Sequence, residues 1–197
     1  LQNLWTFVTD FGDSAVTLPL GALTLIFLLA SGWRRGAFAF LLAIGSAGLA
    51  IGLLKLLLVS CGRPLVGASL TDPSGHVAVS TATYGSLALA LGRSLPIRLR
   101  PWAVAAAALL VAGIAVSRVL LLAHSPAEVA VGLVVGILST LLFRAALGPG
   151  EAPPLRLAWF ALGAIAVAAA MHGTRWPIEQ WIKAIAHLIR GRWPGCA

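Results

Sequence analysis

Apolar residues run along this chain in long, nearly uninterrupted stretches, and polar residues gather between the stretches rather than alternating within them. The runs cover about 15–31, 37–60, 76–92, 102–122, 126–143 and 155–171, with Trp33-Arg34-Arg35 closing the first and Lys55 late in the second. Each is close to the roughly 20 residues a helix needs to cross a bilayer. Between the second and third runs, Gly62, Pro64, Gly67, Pro73 and Gly75 break any helix, so 61–75 reads as a loop. The stretch 93–101 holds three arginines and two prolines and reads as a short connection, and 148–154 reads as a turn. This pattern predicts an all-α polytopic membrane protein with about six transmembrane helices.

The two ends of the chain follow a different period. Ile178, Trp181, Ile182, Ile185 and Ile189 recur at helical spacing, while Glu179, Lys183, His187 and Arg190 fall elsewhere on the wheel. That is the signature of an amphipathic helix lying on a membrane surface. Leu4, Trp5, Val8 and Phe11 suggest a shorter segment of the same kind. The expected organisation is an interfacial segment over 1–13, a six-helix domain over 14–172 and an interfacial tail over 173–197. The chain opens on Leu rather than Met, which points to sequence upstream of it.

Composition narrows the class. Of 197 residues, 59% are hydrophobic and 10% charged, against about 25% charged in a soluble domain. With a mean hydropathy of +0.96, a soluble globule, a disordered chain, a coiled coil and a disulfide scaffold are excluded. The net charge of +8 does not describe a nucleic-acid surface, because the cations are scattered between apolar runs instead of sharing one face. Arg34, Arg35, Arg93, Arg98, Arg100, Arg144 and Arg156 fall near the loops of one side, which the positive-inside rule makes cytoplasmic. The loops 61–75 and 122–126 and both termini then face outward, to a periplasm or the exterior. Arg175, Lys183, Arg190 and Arg192 in the tail are a counterweight to that orientation. Cys61 and Cys196 are too few for a metal cluster and lack CxxC spacing.

A cation at mid-membrane depth costs about 2.5–3.5 kcal/mol, so one placed near a span outside the arginine-rich loops needs a reason. Lys55, Arg63 and Arg118 are such residues, and they share the outward side with His76 and His124. The acids expected near them are Asp72 and Glu128, which leaves a surplus of positive charge for an anion to neutralise. Imidazoles in that setting can supply a nucleophile and a proton donor near neutral pH.

Lys55 with Arg63-Pro64, Pro73-Ser74-Gly75-His76, and Ser117-Arg118 followed by His124 and Glu128 resemble, in order and separation, the three signatures of the type 2 phosphatidic acid phosphatase family. The resemblance covers about 20–140. It implies a metal-independent hydrolase of lipid phosphates or diphosphates that works through a phosphohistidine, with no metal or cofactor expected. By motif position His124 would be the nucleophile, Glu128 the carboxylate orienting its ring, and His76 the general acid. Lys55, Arg63, Ser74, Gly75 and Arg118 would bind the phosphoryl oxygens. Two positions depart from the family pattern. Seven residues, 56–62, separate Lys55 from Arg63 where six are usual, which in a continuous helix turns Arg63 about 80° from Lys55. Glutamate stands at 128 where aspartate is usual.

Less specific roles compete at several positions. Ser125-Pro126-Ala127-Glu128 is also a helix-capping box. Asp72 fits a turn or cap, His172 and His187 fit interfacial structure, and Ser80, Thr81, Thr83 and Ser86 fit helix-packing positions. The expected partners are a lipid phosphate and the bilayer. A polyprenyl diphosphate is favoured over phosphatidic acid, phosphatidylglycerol phosphate and lipid A phosphates, and a phosphotransferase is an alternative outcome of the same chemistry. The rival of another class is a non-hydrolytic lipid-phosphate binding or transport protein. A haloperoxidase would share the oxyanion site, but the membrane spans argue against it.

Overall fold

The computed structural model describes residues 2–61, 70–149 and 152–189, and these residues form helices joined by short turns. In chain order they are α1 (Gln2–Asp10), α2 (Ser14–Ala30), α3 (Arg34–Cys61), α4 (Gly75–Gly92), α5 (Arg100–Leu120), α6 (Pro126–Leu147), α7 (Leu157–Met171) and α8 (Ile178–Ile189), with one 3₁₀ turn at Ile97–Leu99 before α5. The six apolar runs correspond to α2 through α7. The protein is an all-α polytopic membrane protein, in which Gln2–Ala30, Arg34–Ser60, Ile97–Leu120 and Pro126–Leu147 are each long and apolar enough to cross a bilayer.

Local chemistry sets the helix boundaries. Asp13 caps α2, its Oδ1 accepting the N–H of Ala15 at 2.8 Å. Gly32, at φ +77°, takes the left-handed turn that ends α2. Ser125 caps α6 in a full capping box with Glu128, and Pro126 occupies the first turn, where its missing N–H costs nothing.

Helix α4 is the centre of the bundle, packed against α2, α3, α5 and α6. Ser80, Thr81, Thr83 and Ser86 are all buried on it, as their spacing predicts. Small residues let the backbones approach closely where no large side chain intervenes. Along the α4–α6 seam, a Cβ on Gly132 would lie 2.6 Å from the Ser74 carbonyl oxygen, and one on Gly136 would collide with Thr81. On either side of the seam sit two apolar clusters, one around Phe40 and Phe143, the other around Val77, Ile114 and Phe160.

Side-chain bonds fix which ends meet. At one end, Arg35 donates to the Ala146 carbonyl at 3.0 Å and Arg93 to the Gly148 carbonyl at 2.7 Å, joining the start of α3 to the ends of α4 and α6. The starts of α2, α4 and α6 and the ends of α3 and α5 meet at the other end, where α1 and α8 also lie. Helix α1 runs against α5, with Val8 Cγ1 3.2 Å from where a Gly113 Cβ would be. The Tyr84 hydroxyl donates to the Phe11 carbonyl at 2.6 Å. Helix α8 docks on α3, burying Ala186 completely and accepting a bond from Ser60 Oγ to the Ala186 carbonyl at 3.2 Å, while Trp181, Ile185 and Leu188 stay exposed.

Candidate active site

The turn between α5 and α6 holds an arginine and a histidine six residues apart in one compact loop. As α5 ends, the N–H groups of Ala123 and His124 both donate to the Arg118 carbonyl, at 3.0 and 3.2 Å. Leu122 enters the left-handed region at φ 55° to close that turn. The chain then passes straight into the Ser125 cap of α6. Arg118 and His124 are therefore two ends of one hydrogen-bonded loop, and the capping glutamate stands one helical turn beyond the histidine.

Glu128 spans this loop and the segment before α4. Its Oε2 lies 3.4 Å from His124 Nδ1 and accepts the Ser125 N–H at 3.0 Å. Its Oε1 accepts the Thr71 N–H at 3.0 Å, the Thr71 hydroxyl at 3.0 Å and the Asp72 N–H at 2.7 Å. The Glu128 carbonyl also accepts the Ser74 N–H at 3.1 Å. The capping role and the contact with His124 are thus both present in one side chain. The extra methylene of glutamate provides the reach for both sets of bonds.

His124 is buried, and with Nδ1 facing Glu128 its Nε2 has no hydrogen-bond partner among the described residues. Five further buried polar atoms share that condition: Thr83 Oγ1, Ser86 Oγ and Ser94 Oγ, which lie further along or beyond α4, and Ser74 Oγ and Arg118 Nε, which lie at this end of the bundle. An unpartnered buried polar atom costs roughly 1–3 kcal/mol, so three of them on adjoining segments mark a place built to receive a polar ligand. Burial first, then the charges of Arg118 and Lys55, lower the His124 pKa from its ordinary 6.5, against a smaller opposing pull from Glu179 and Asp72. The neutral imidazole, with a lone pair on Nε2, is favoured as a result.

A cavity of about 520 Å³ lies at this end of the bundle and reaches Arg118, with Thr9, Lys55, Gly75, His76 and Glu179 also among its lining. Leu18, Gly48, Ile51 and Val79 line it as well. Gly48 stands seven residues before Lys55 on α3, about 10 Å deeper into the bundle, and Leu18 and Val79 are likewise further along α2 and α4 than Asp13 and His76. The cavity therefore grades from charged at the bundle end to apolar toward its middle.

Lys55 is buried at 3% exposure. Its Nζ is 2.6 Å from Asp72 Oδ1 and 3.4 Å from Glu179 Oε1. Lys183 closes the square, 2.9 Å from Asp72 Oδ2 and 3.1 Å from Glu179 Oε1. Burial would raise the Glu179 carboxyl, but Lys55 and then Lys183 outweigh it and hold the group well below the usual carboxylate range. Lys183 in turn is lowered by burial yet raised overall by its bonds to Asp72 and Glu179.

Sequence reasoning placed Lys55, Ser74, Gly75, His76, Arg118, His124 and Glu128 at one site, and the structure brings these residues to one end of the bundle. Arg63 and Pro64 lie outside the described residues, as do Arg190, Arg192 and Cys196. The expected surplus of positive charge is corrected. Asp10, Asp13, Asp72, Glu128 and Glu179, five of the chain's six acids, gather at this end, against Lys55, Arg118, Arg175 and Lys183 among the described residues. Asp13 touches His76, with Oδ2 3.2 Å from Nε2. Asp10 lies 3.5 Å from Arg175. These acids come from distant parts of the chain, and nothing in their immediate sequence signals the approach. Asp72 is more than a turn residue, since it pairs with two lysines and donates its N–H to Glu128.

The sequence profile of the PAP2 superfamily matches residues 59–149. The chain is also 32% identical over 140 residues, 71% of its own length and 67% of the relative's, to an uncharacterised 22.5 kDa protein in the cps region of Klebsiella pneumoniae. No solved structure gives a significant match.

Proposed function

The chain belongs to the PAP2 superfamily, a superfamily of phosphatases, and from that premise we propose that it cleaves the phosphate or diphosphate ester of a membrane lipid through a phosphohistidine on His124, without a metal. The observation that carries this reading is the His124 ring, with Nδ1 against Glu128 and Nε2 buried, unpartnered and disposed toward neutrality.

His124 Nε2 attacks phosphorus, forming the P–N bond as the P–O bond to the leaving group breaks. Glu128 stabilises the positive charge that this leaves on the ring. Lys55, Arg118, Ser74, the Gly75 N–H and Arg63 hold the phosphoryl oxygens, where fixed charges act mainly by stabilising the transition state. Protonated His76 gives its proton to the departing oxygen. In the second half, water attacks phosphorus, neutral His76 takes the water's proton, the P–N bond breaks, and both histidines return to their starting states.

The graded cavity suits a charged headgroup at the bundle end with an apolar chain running inward. A polyprenyl diphosphate is the substrate we favour, with phosphatidic acid, phosphatidylglycerol phosphate and lipid A phosphates as alternatives. The arginine-rich loops at the opposite end support an active site on the outer face of the membrane, in a bacterial plasma membrane. Residues 14–172 would form the phosphatase domain, with 1–13 and 173–197 as interfacial segments.

Phosphate release by the detergent-purified protein against that lipid panel, with His124→Ala beside it, tests the reading. The expected result is release that falls more than about a thousand-fold in the variant, insensitivity to chelators, competitive inhibition by vanadate, and trapping of acid-labile label from ³²P-substrate on the wild type alone. Lipid binding without release or trapping would instead establish a non-hydrolytic binding protein.

A further inference from the structure

Asp13 belongs to none of the motifs that carry the family resemblance and lies outside the matched residues 59–149, yet it holds the second histidine of the site. One carboxylate oxygen, Oδ1, accepts the Ala15 N–H at 2.8 Å and the Trp176 N–H at 3.4 Å. The other, Oδ2, stands 3.2 Å from His76 Nε2. Asp13 is 5% exposed, and its backbone is fixed by the first turn of α2, where its carbonyl accepts from Val16 and Thr17 at 3.0 and 2.9 Å. Gly12 makes the approach possible, because a Cβ there would be 2.8 Å from Ile114 Cγ2 and 3.6 Å from His76 Cβ.

Capping alone does not account for this arrangement. Serine, threonine and asparagine cap helices about as well as aspartate, and a cap uses one oxygen. The second oxygen is aimed at an imidazole that lines the cavity together with Lys55, Arg118, Arg175, Asp10 and Glu179. Among the described residues, Asp13 is the group within hydrogen-bonding distance of that ring.

Resting on the reading of His76 as the general acid, we propose that Asp13 is its positioning residue. Asp13 accepts Nε2–H, fixes the ring's orientation and tautomer, and leaves Nδ1 as the nitrogen that passes its proton to the leaving oxygen and later takes one from water. The two histidines would then each be held by a carboxylate, Glu128 through Nδ1 of the nucleophile and Asp13 through Nε2 of the acid.

Leaving-group chemistry tests this. An alkoxide is a strong base and departs with a proton, whereas 4-nitrophenolate departs without one. Asp13→Asn keeps a capping side chain and removes the carboxylate. Its kcat/KM should fall about 10–100-fold on phosphatidic acid and less than about three-fold on 4-nitrophenyl phosphate. His76→Ala should show the same selectivity, and the double variant should be no worse than His76→Ala. Equal losses on both esters, no loss on either, or additive losses would overturn the proposal. Independently, ¹⁵N spectra of the imidazoles above their titration range, with His76 assigned by its alanine variant, should show the Nε2–H tautomer in the wild type and its loss in Asp13→Asn; an Nδ1–H ring in the wild type refutes the pairing. If the wild type turns over neither 4-nitrophenyl phosphate nor any lipid of the panel, polyprenyl diphosphate included, the phosphatase reading and the acid role fall together, and the ring signature separately reports whether Asp13 holds His76.

Discussion

Helix α4, packed on α6 along a close seam, and the α8 cover line the same cavity, and seam and cover are built on opposite principles. The seam joins backbones through glycine and small polar residues so tightly that a single added methyl group would meet a carbonyl oxygen or a threonine side chain. It carries Ser74, Gly75, His76 and Glu128, positioned by packing and by backbone bonds. The cover rests on one buried alanine, one serine-to-carbonyl bond and a square of four charges, and much of its apolar surface is exposed. Positions that must hold sub-ångström geometry lie on the part that cannot move without breaking its packing. The part that the proposed lipid substrate would pass is tied down by ion pairs, which in partly exposed settings are worth little individually.

That contrast can be broken from either side. The largest effect is expected in the seam. Gly136→Leu would drive a side chain into Thr81 and the Ala78 carbonyl, destabilising the protein by about 1–3 kcal/mol and abolishing phosphate release in parallel, as read from the unfolding midpoint in detergent and from turnover. Next comes Glu128→Gln, which puts an amide donor where five donors or ring contacts converge on two acceptor oxygens. It should lower kcat about 10–100-fold with a smaller change in KM. Glu128→Asp keeps the charge but loses reach toward either Thr71 or Ser125, and its residual activity separates charge from reach.

Smallest is the effect in the cover. Glu179→Gln frees Lys55 from a competing carboxylate and should tighten vanadate inhibition only a few-fold, with the unfolding midpoint nearly unchanged. The same variant has a pH signature. Because His124 is lowered from 6.5, its neutral, nucleophilic form persists below that pH, and kcat/KM should fall only as pH drops through the lowered value. Glu179 opposes the lowering, so Glu179→Gln should move this acid limb further down. A limb that moves upward, or a cover variant that unfolds the protein, would erase the distinction between the two regions.

The same division governs what the sequence discloses. Six apolar runs foretold α2 through α7 within a few residues, because a bilayer imposes length and hydrophobicity on every span. Ser74 through His76 and Arg118 through Glu128 were legible because each set lies on one turn, and local bonds convert spacing directly into geometry. Asp13 and Glu179 were not. Each is an ordinary polar residue beside a helix start, and its approach to His76 or Lys55 depends on how α2 and α8 lean on the bundle, which no short-range pattern encodes. The same reason led to the expected excess of positive charge: local reading counted Asp72 and Glu128 and missed the three acids brought by α1, α2 and α8.

The Glu128 clamp also bears on how the protein comes into being. Its carboxylate ties the turn before α6 to a segment 56 residues upstream, so while the chain is still being threaded into the bilayer the Thr71–Ser74 stretch can pair with Lys55 through Asp72 but lacks its bonds to Glu128. Helices α1 to α5 can be in place and His76 already synthesised, yet His124 and the segment facing it gain their bonds to Glu128 only when the first turn of α6 forms. Assembly of the proposed catalytic centre would thereby be postponed to a late step of biogenesis, and a chain stopped before Pro126 would be inserted but inert.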